Sequence, residues 1–264
     1  MNIDHIHHHG SAYTFELILA LPFVLALVIY ILAAGKSSSR HNAWPLYRTA
    51  CWVFGVFCAA FAVVGPLANR SHMDFIAHMI GHVLLGMLAP LLLVLSAPMT
   101  LALRTLKVNS ARRLSRMLKS WPVRILSDPI VASLLNVGGL WILYTTVLYG
   151  AMQQNIILHM LVHIHVFFAG YLFTVSMIYI DPTPHRTSFF YRAIVLVIAL
   201  AGHGILSKYI YVHPPNNVPL PQAEAGGMLM YYGGDAIDLI LISVLCYQWF
   251  RSTRPRKSFS MVSH

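Results

Sequence analysis

Four histidines carry the strongest chemical signal in this sequence. They fall in two HxxxH pairs, His78 with His82 in the stretch FIAHMIGH and His159 with His163 in IILHMLVHIH. Residues four apart share one face of an α-helix, so each pair presents two imidazoles in the same direction. Imidazole is the usual nitrogen ligand of copper, zinc and iron, and it binds in its neutral form, so metal retention weakens on acidification. Both pairs lie in long apolar runs, where an ionisable side chain costs at least a few kcal/mol unless it is paired, hydrated or bound. His203 lies in a third such run, Asp235 and Asp238 in a fourth, and Tyr144 towards the end of a fifth. One intramembrane histidine alone is ordinarily a helix-to-helix hydrogen bond. Imidazoles on several helices call for a shared partner, and a metal held by His78, His82, His159, His163 and His203 is the economical one. Asp235, Asp238 and Tyr144 would then stand behind the ligands and orient them.

Other candidates are weaker. His165 points to a different face from His163. Met73, Met79 and Met160 adjoin histidines, and thioethers favour copper(I), but methionine in an apolar helix is ordinarily packing. The segment with His5, His7, His8 and His9 would collect metal ions or serve as a plain polar terminus. Cys51, Cys58 and Cys246 form no CxxC pair and read as buried core residues.

The elements that must position these groups are membrane spans. Of 264 residues, 58% are hydrophobic and 10% charged, with a mean hydropathy of +0.66, which excludes a soluble domain. Apolar runs fall at 13–34, 49–67, 75–95, 130–150, 156–180, 193–211 and 228–250. The expected fold is an all-α integral membrane protein with seven transmembrane helices. Residues 1–12 form a His-rich outer tail without the basic start of a cleavable leader, and are expected to be retained. Residues 13–250 form the membrane domain and 251–264 a basic cytoplasmic tail.

Of the 18 lysines and arginines, all but Arg70 and Lys208 fall in the connections on one side or in the C-terminal tail. The positive-inside rule therefore puts the N-terminus outside and the C-terminus in the cytoplasm. This bias accounts for the formal charge of +10 and leaves no case for nucleic acid as a partner. With that topology the two HxxxH pairs start their helices from the outside and lie roughly 5 and 10 Å below the outer edge, with His203 and the two aspartates at about 10–15 Å. Pro90 predicts a kink and Pro98 a break. Residues 104–124 alternate Arg112, Arg113, Arg116 and Lys119 with Leu114, Met117, Leu118 and Trp121, the pattern of a basic amphipathic helix on the cytoplasmic surface. The proline-rich stretch 213–221 is expected to cap the outer mouth. No HExxH, phosphate loop or GxSxG motif is present, so an enzyme is not indicated.

Several stretches resemble one family. They are GPL at 65–67, AHMIGHVLL at 77–85, APLLLVLSAP at 89–98, Asp128-Pro129, Trp141 with Tyr149, HMLVH with Ala169-Gly170, Asp181-Pro182, and AGGMLMYYGG at 225–234. In order and combination they resemble CtaG-type cytochrome c oxidase assembly factors, and they cover most of the chain. The resemblance implies a multi-pass protein of the bacterial plasma (inner) membrane. It implies a role in maturing a haem-copper respiratory oxidase, as a chaperone that supplies copper to the catalytic subunit. Where that family commonly shows W-x-x-H, this chain has Trp141-Ile-Leu-Tyr144, so a site using that position is altered. The leading expectation is a non-enzymatic assembly factor holding copper in the outer half of the lipid bilayer. The alternative is a haem-binding redox protein in which histidines from two helices clamp one iron. A proton-coupled transporter ranks below both, because the inner half lacks the polar groups to complete a pathway.

Overall fold

The computed structural model describes residues 4–40 and 42–254, with side chains placed for 17–39 and 42–254. The side chains of His5, His7, His8 and His9, and residues 255–264 of the basic tail, lie outside the described residues. Among the described residues all regular structure is helical. The principal helices are α1 (Asp4–Arg40), α2 (Leu46–Val63), α3 (Phe75–Leu95), α4 (Pro129–Thr145), α5 (Leu148–Gln154), α6 (Ile156–Met177), α7 (Phe189–Val212) and α8 (Leu220–Thr253). Six are long and apolar enough to cross a membrane, α1 doing so through Leu17–Ser39; α4 and α5 make a seventh candidate span, bent by 78°.

Capping side chains set four of the helix starts. Asp74 accepts from the Ile76 amide at the start of α3, Asp128 from Ile130 and Val131 at α4, Asn155 from Ile157 and Leu158 at α6, and Ser188 from Tyr191 at α7. These caps fix the depth at which each helix presents its side chains. In α3 the kink expected at Pro90 takes the form of a π-helical stretch at Leu84–Leu88, one turn before a residue that cannot donate to the Gly86 carbonyl. The break expected at Pro98 is also present. Ala97 is left-handed (φ 55°), and a new helix, Pro98–Thr105, begins at once. Both Asp181 carboxylate oxygens cap that helix, accepting from Met99 N, Thr100 N and Thr100 Oγ1.

The run expected as one helix over 130–150 is broken instead. Thr145 Oγ1 donates to Trp141 O and Thr146 Oγ1 to Ile142 O, and Thr146 then turns extended. Its hydroxyl accepts from Leu148 N and so starts α5 in a new direction. The basic segment is helical at Val108–Leu118, with a further short helix at Trp121–Leu126. Cys246 is exposed on α8 and Cys51 and Cys58 are half-buried, so none sits deep in the core. Position 246 lies off the buried face of α8 that Leu241 and Leu245 mark.

α3 is the axis of the bundle, with 61% of its apolar segment inside the protein, whereas α1, with 6%, is a peripheral wall. Close approach around α3 depends on glycine. A methyl at Gly170 of α6 would lie 3.0 Å from the Gly86 carbonyl carbon, one at Gly226 of α8 2.7 Å from the Phe75 ring, and one at Gly227 2.8 Å from Ser207 O of α7. The Gly86 carbonyl, to which Pro90 cannot donate, is thus approached closely by the bare Cα of Gly170. α1 is held at the end away from the histidines. Tyr30 OH donates to Ser96 O (2.7 Å) and accepts from Trp44 Nε1 (3.2 Å), its ring stacks on Trp52 at 4.5 Å, and Trp52 Nε1 donates to Ala26 O.

Candidate metal centre

α3 turns both members of its pair inward, and His78 and His82 are 4% and 6% exposed. α6 does the same with His159 and leaves His163 half-buried, while α7 seats His203 against Gly234 of α8, where any side chain larger than hydrogen would strike its ring. The rings form a continuous chain. His159 stacks on His163 at 4.2 Å, as HxxxH spacing allows, and His163 lies 6.2 Å from His78. His78 Nε2 shares a 3.0 Å hydrogen bond with Tyr144 OH, whose ring stands 6.2 Å from His82, and His82 faces His203 at 6.3 Å. The two helix pairs and His203 are therefore brought together at one end of the bundle.

The nitrogens in this chain are short of partners. His78 Nδ1, both nitrogens of His82, His159 Nδ1 and His203 Nε2 are buried without a hydrogen bond. Leaving such groups unpartnered in an apolar interior costs about 1–3 kcal/mol each. His163 Nδ1 is engaged with the His159 carbonyl (2.9 Å), which fixes its ring and points Nε2 away from its own helix. By donor type the set fits a metal of the imidazole class. Among the described residues no three or more of His, Cys, Asp and Glu stand together in a group that could hold one metal ion.

Tyr144 stands where the resemblance places a histidine, and its hydroxyl occupies the nitrogen that His78 would otherwise present. Tyr149, braced by Gln153 (2.9 Å), closes the other side of His78 at 5.2 Å between ring centres. Asp238 is buried and lines two small spaces of about 20 and 30 Å³ with Asn136, Thr174, His82 and His203, each roomy enough for about one water. It makes no hydrogen bond to a described histidine. Asp235 is exposed on the outer face of α8 and stands apart from the cluster.

His165 is not part of the cluster. Its Nε2 donates to Leu135 O (3.1 Å), a carbonyl in the π-helical stretch Leu134–Gly138 of α4, in a notch that Gly139 leaves open. Met79 is fully buried packing beneath Gly226, Met73 is exposed, and Met160 lines the cavity that His159 and His163 also face. The sequence reading passed over His72. It lies outside the apolar run, between Ser71 and Asp74, and its ring meets His159 at 4.3 Å. Its six-residue distance from His78 places it one turn before α3 and was the available signal. The proline-rich loop packs over this end of the bundle, with Val218 against the core around Tyr149 and Asn216 beside Gly150.

Uncharacterized proteins of Mycobacterium bovis and Mycobacterium tuberculosis are each 32% identical over 267 aligned positions, which cover 92% of this chain. One from Mycobacterium leprae is 25% identical over 262 positions, covering 91%. The chain spans 40% of the length of each of these relatives. No solved structure matches. Residues 28–252, from the middle of α1 to the end of α8, match the profile of the cytochrome c oxidase caa3 assembly factors, and the chain belongs to that family.

Proposed function

We propose that this protein is a non-enzymatic assembly factor of the bacterial plasma membrane. It holds copper on the imidazoles of α3, α6 and α7, on the outer side of the bilayer, and passes it to the catalytic subunit of a haem-copper oxidase. Family membership supports the assembly role. The observation that carries the copper reading is the chain of imidazoles from three helices, five of whose buried ring nitrogens lack hydrogen-bond partners. Copper is cargo in this reading, and a cargo ion must leave. Imidazoles offered in pairs suit that better than a closed four-ligand shell of the structural kind, because fewer bonds break at each transfer. His159 with His163 would receive the ion, and His78, 6.2 Å from His163, lies on the route inward. Asp238, the one buried carboxylate beside His82 and His203, supplies a counter-charge for a cation in that part of the site.

The test is a copper(I) titration of detergent-purified protein, paired with the copper content of the oxidase in cells carrying the His78→Ala/His163→Ala double variant. Stoichiometric copper in the wild type, and an oxidase lacking copper in the variant strain, are expected. Protein that takes up no copper, or full copper in the oxidase of the variant strain, would reject the reading. A Soret band in the purified protein would replace it with haem ligation by the same histidines.

A further inference from the structure

The end of the bundle away from the histidines holds an arginine without a counter-ion. Arg192 stands in the first turn of α7, about 16 Å along that helix from His203, and is only 7% exposed. Its Nη1 donates to the carbonyl of Met177, the last residue of α6 (2.6 Å), and its guanidinium lies over the Tyr179 ring at 4.2 Å. Nε is buried without a hydrogen bond, and among the described residues Nη2 makes none either. A second cation shares the ring, with the guanidinium of the exposed Arg186 5.7 Å from its centre. The carboxylates of the adjoining segments are committed elsewhere, Asp181 to Met99 and Thr100, and Asp128 to Tyr191 and the start of α4.

Helix ends do not balance these charges. The C-terminus of α6 offers about −0.5 of an elementary charge through Met177 O, but the N-terminus of α7, with no acidic residue in its first turn, adds about +0.5. The two cancel and leave two guanidiniums uncompensated, one of them buried, where an unpaired charge is strongly destabilising. The missing group is therefore an anion. It must reach Arg192 through Nη2, since Nε is enclosed, and it must meet Arg186 as well. A phosphate group, with several acceptor oxygens, can take N–H bonds from two guanidiniums at once. The surroundings match the level of lipid headgroups: Phe189 stacks on Trp249 at 4.9 Å, and Phe190 and Phe250 are exposed beside them, as aromatic residues are at a membrane interface. We propose that Arg192 and Arg186 bind a phosphate group at this end of the bundle, presented by the headgroup of an anionic phospholipid or free in solution. The site is independent of the copper reading, and its occupant braces the end of α6 against the start of α7.

The experiment is a thermal melt of the delipidated full chain in detergent, titrated with phosphatidylglycerol, with phosphatidylcholine, or with inorganic phosphate against chloride at matched ionic strength. A rise of about 5 °C or more at saturation is expected, because a ligand that binds only the folded chain stabilises it. A rise with phosphatidylglycerol alone identifies the lipid headgroup as the source, and a rise with inorganic phosphate identifies the free anion. The concentration giving half the rise should increase at least about fivefold in Arg192→Gln and in Arg186→Gln. It should stay within about twofold of the wild type in Arg116→Gln, on the basic helix Val108–Leu118, where only general surface charge is lost. No rise with either phosphate source, a rise with phosphatidylcholine equal to that with phosphatidylglycerol, or an equal weakening in Arg116→Gln and Arg186→Gln would overturn the site. Arg186→Gln, at an exposed position, reads the result if Arg192→Gln fails to fold.

Discussion

Gly170→Ala tests whether the approach of α6 to α3 is what holds the two HxxxH pairs together. A methyl there would fall inside the contact distance of the Gly86 carbonyl oxygen, 3.0 Å from the carbonyl carbon and 3.3 Å from Pro90 Cγ. Ordinary carbon contacts lie at about 3.5–4.0 Å. Both obstacles are backbone or ring atoms, with no flexible side chain to swing aside, so the helices must part by on the order of 1 Å. Overpacking of this kind costs about 1–3 kcal/mol. For a chain of this size that lowers the melting temperature by roughly 2–12 °C. His163 is two turns from Gly170 and His82 one turn from Gly86, so the same movement opens the 6.2 Å gap between His163 and His78 and weakens copper retention. A thermal melt in detergent and copper per chain after dialysis read the two effects. A variant that melts with the wild type and keeps its copper would refute the argument.

Tyr144→Phe removes the hydroxyl bonded to His78 Nε2, and should cost about 1 kcal/mol in a melt while copper retention holds or rises, since a nitrogen is released; loss of copper would mean that Tyr144 itself is a ligand. Tyr144→His, which places an imidazole between His78 and His82, should tighten copper binding roughly tenfold or more in a competition titration. His165→Ala should lower stability by about 1 kcal/mol through the unsatisfied Leu135 carbonyl and leave copper stoichiometry unchanged, which separates it from the other histidines of α6. Asp181→Asn weakens a carboxylate that accepts three hydrogen bonds at the start of the Pro98–Thr105 helix, and a melt should show a loss of about 1–3 kcal/mol with the histidine cluster still able to load.

Hydropathy located the spans because the bilayer demands long apolar runs, and the 3.6-residue period placed His78 with His82 and His159 with His163 on shared faces. Pro90 and Pro98 announced their distortions through the amide each lacks. What was not legible depended on tertiary packing or on side chains that compete with the backbone. The break between α4 and α5 has no proline or glycine; it comes from two consecutive threonines whose hydroxyls bond back to Trp141 and Ile142, a choice that one sequence does not reveal. Asp235 and Asp238 are three residues apart and share a helical face to within about 60°. Gly234 packing on His203 sets the rotation of α8, and that turns Asp238 inward and Asp235 outward. His72 escaped notice because it sits in a connection, where periodicity has nothing to say.

The most direct measurement is X-ray absorption at the copper edge on purified protein loaded with copper(I). The account predicts imidazole scattering around the metal, diminished in His163→Ala and again in His78→Ala/His163→Ala. A spectrum with only sulfur or oxygen neighbours, or imidazole scattering that persists undiminished in the double variant, would contradict it.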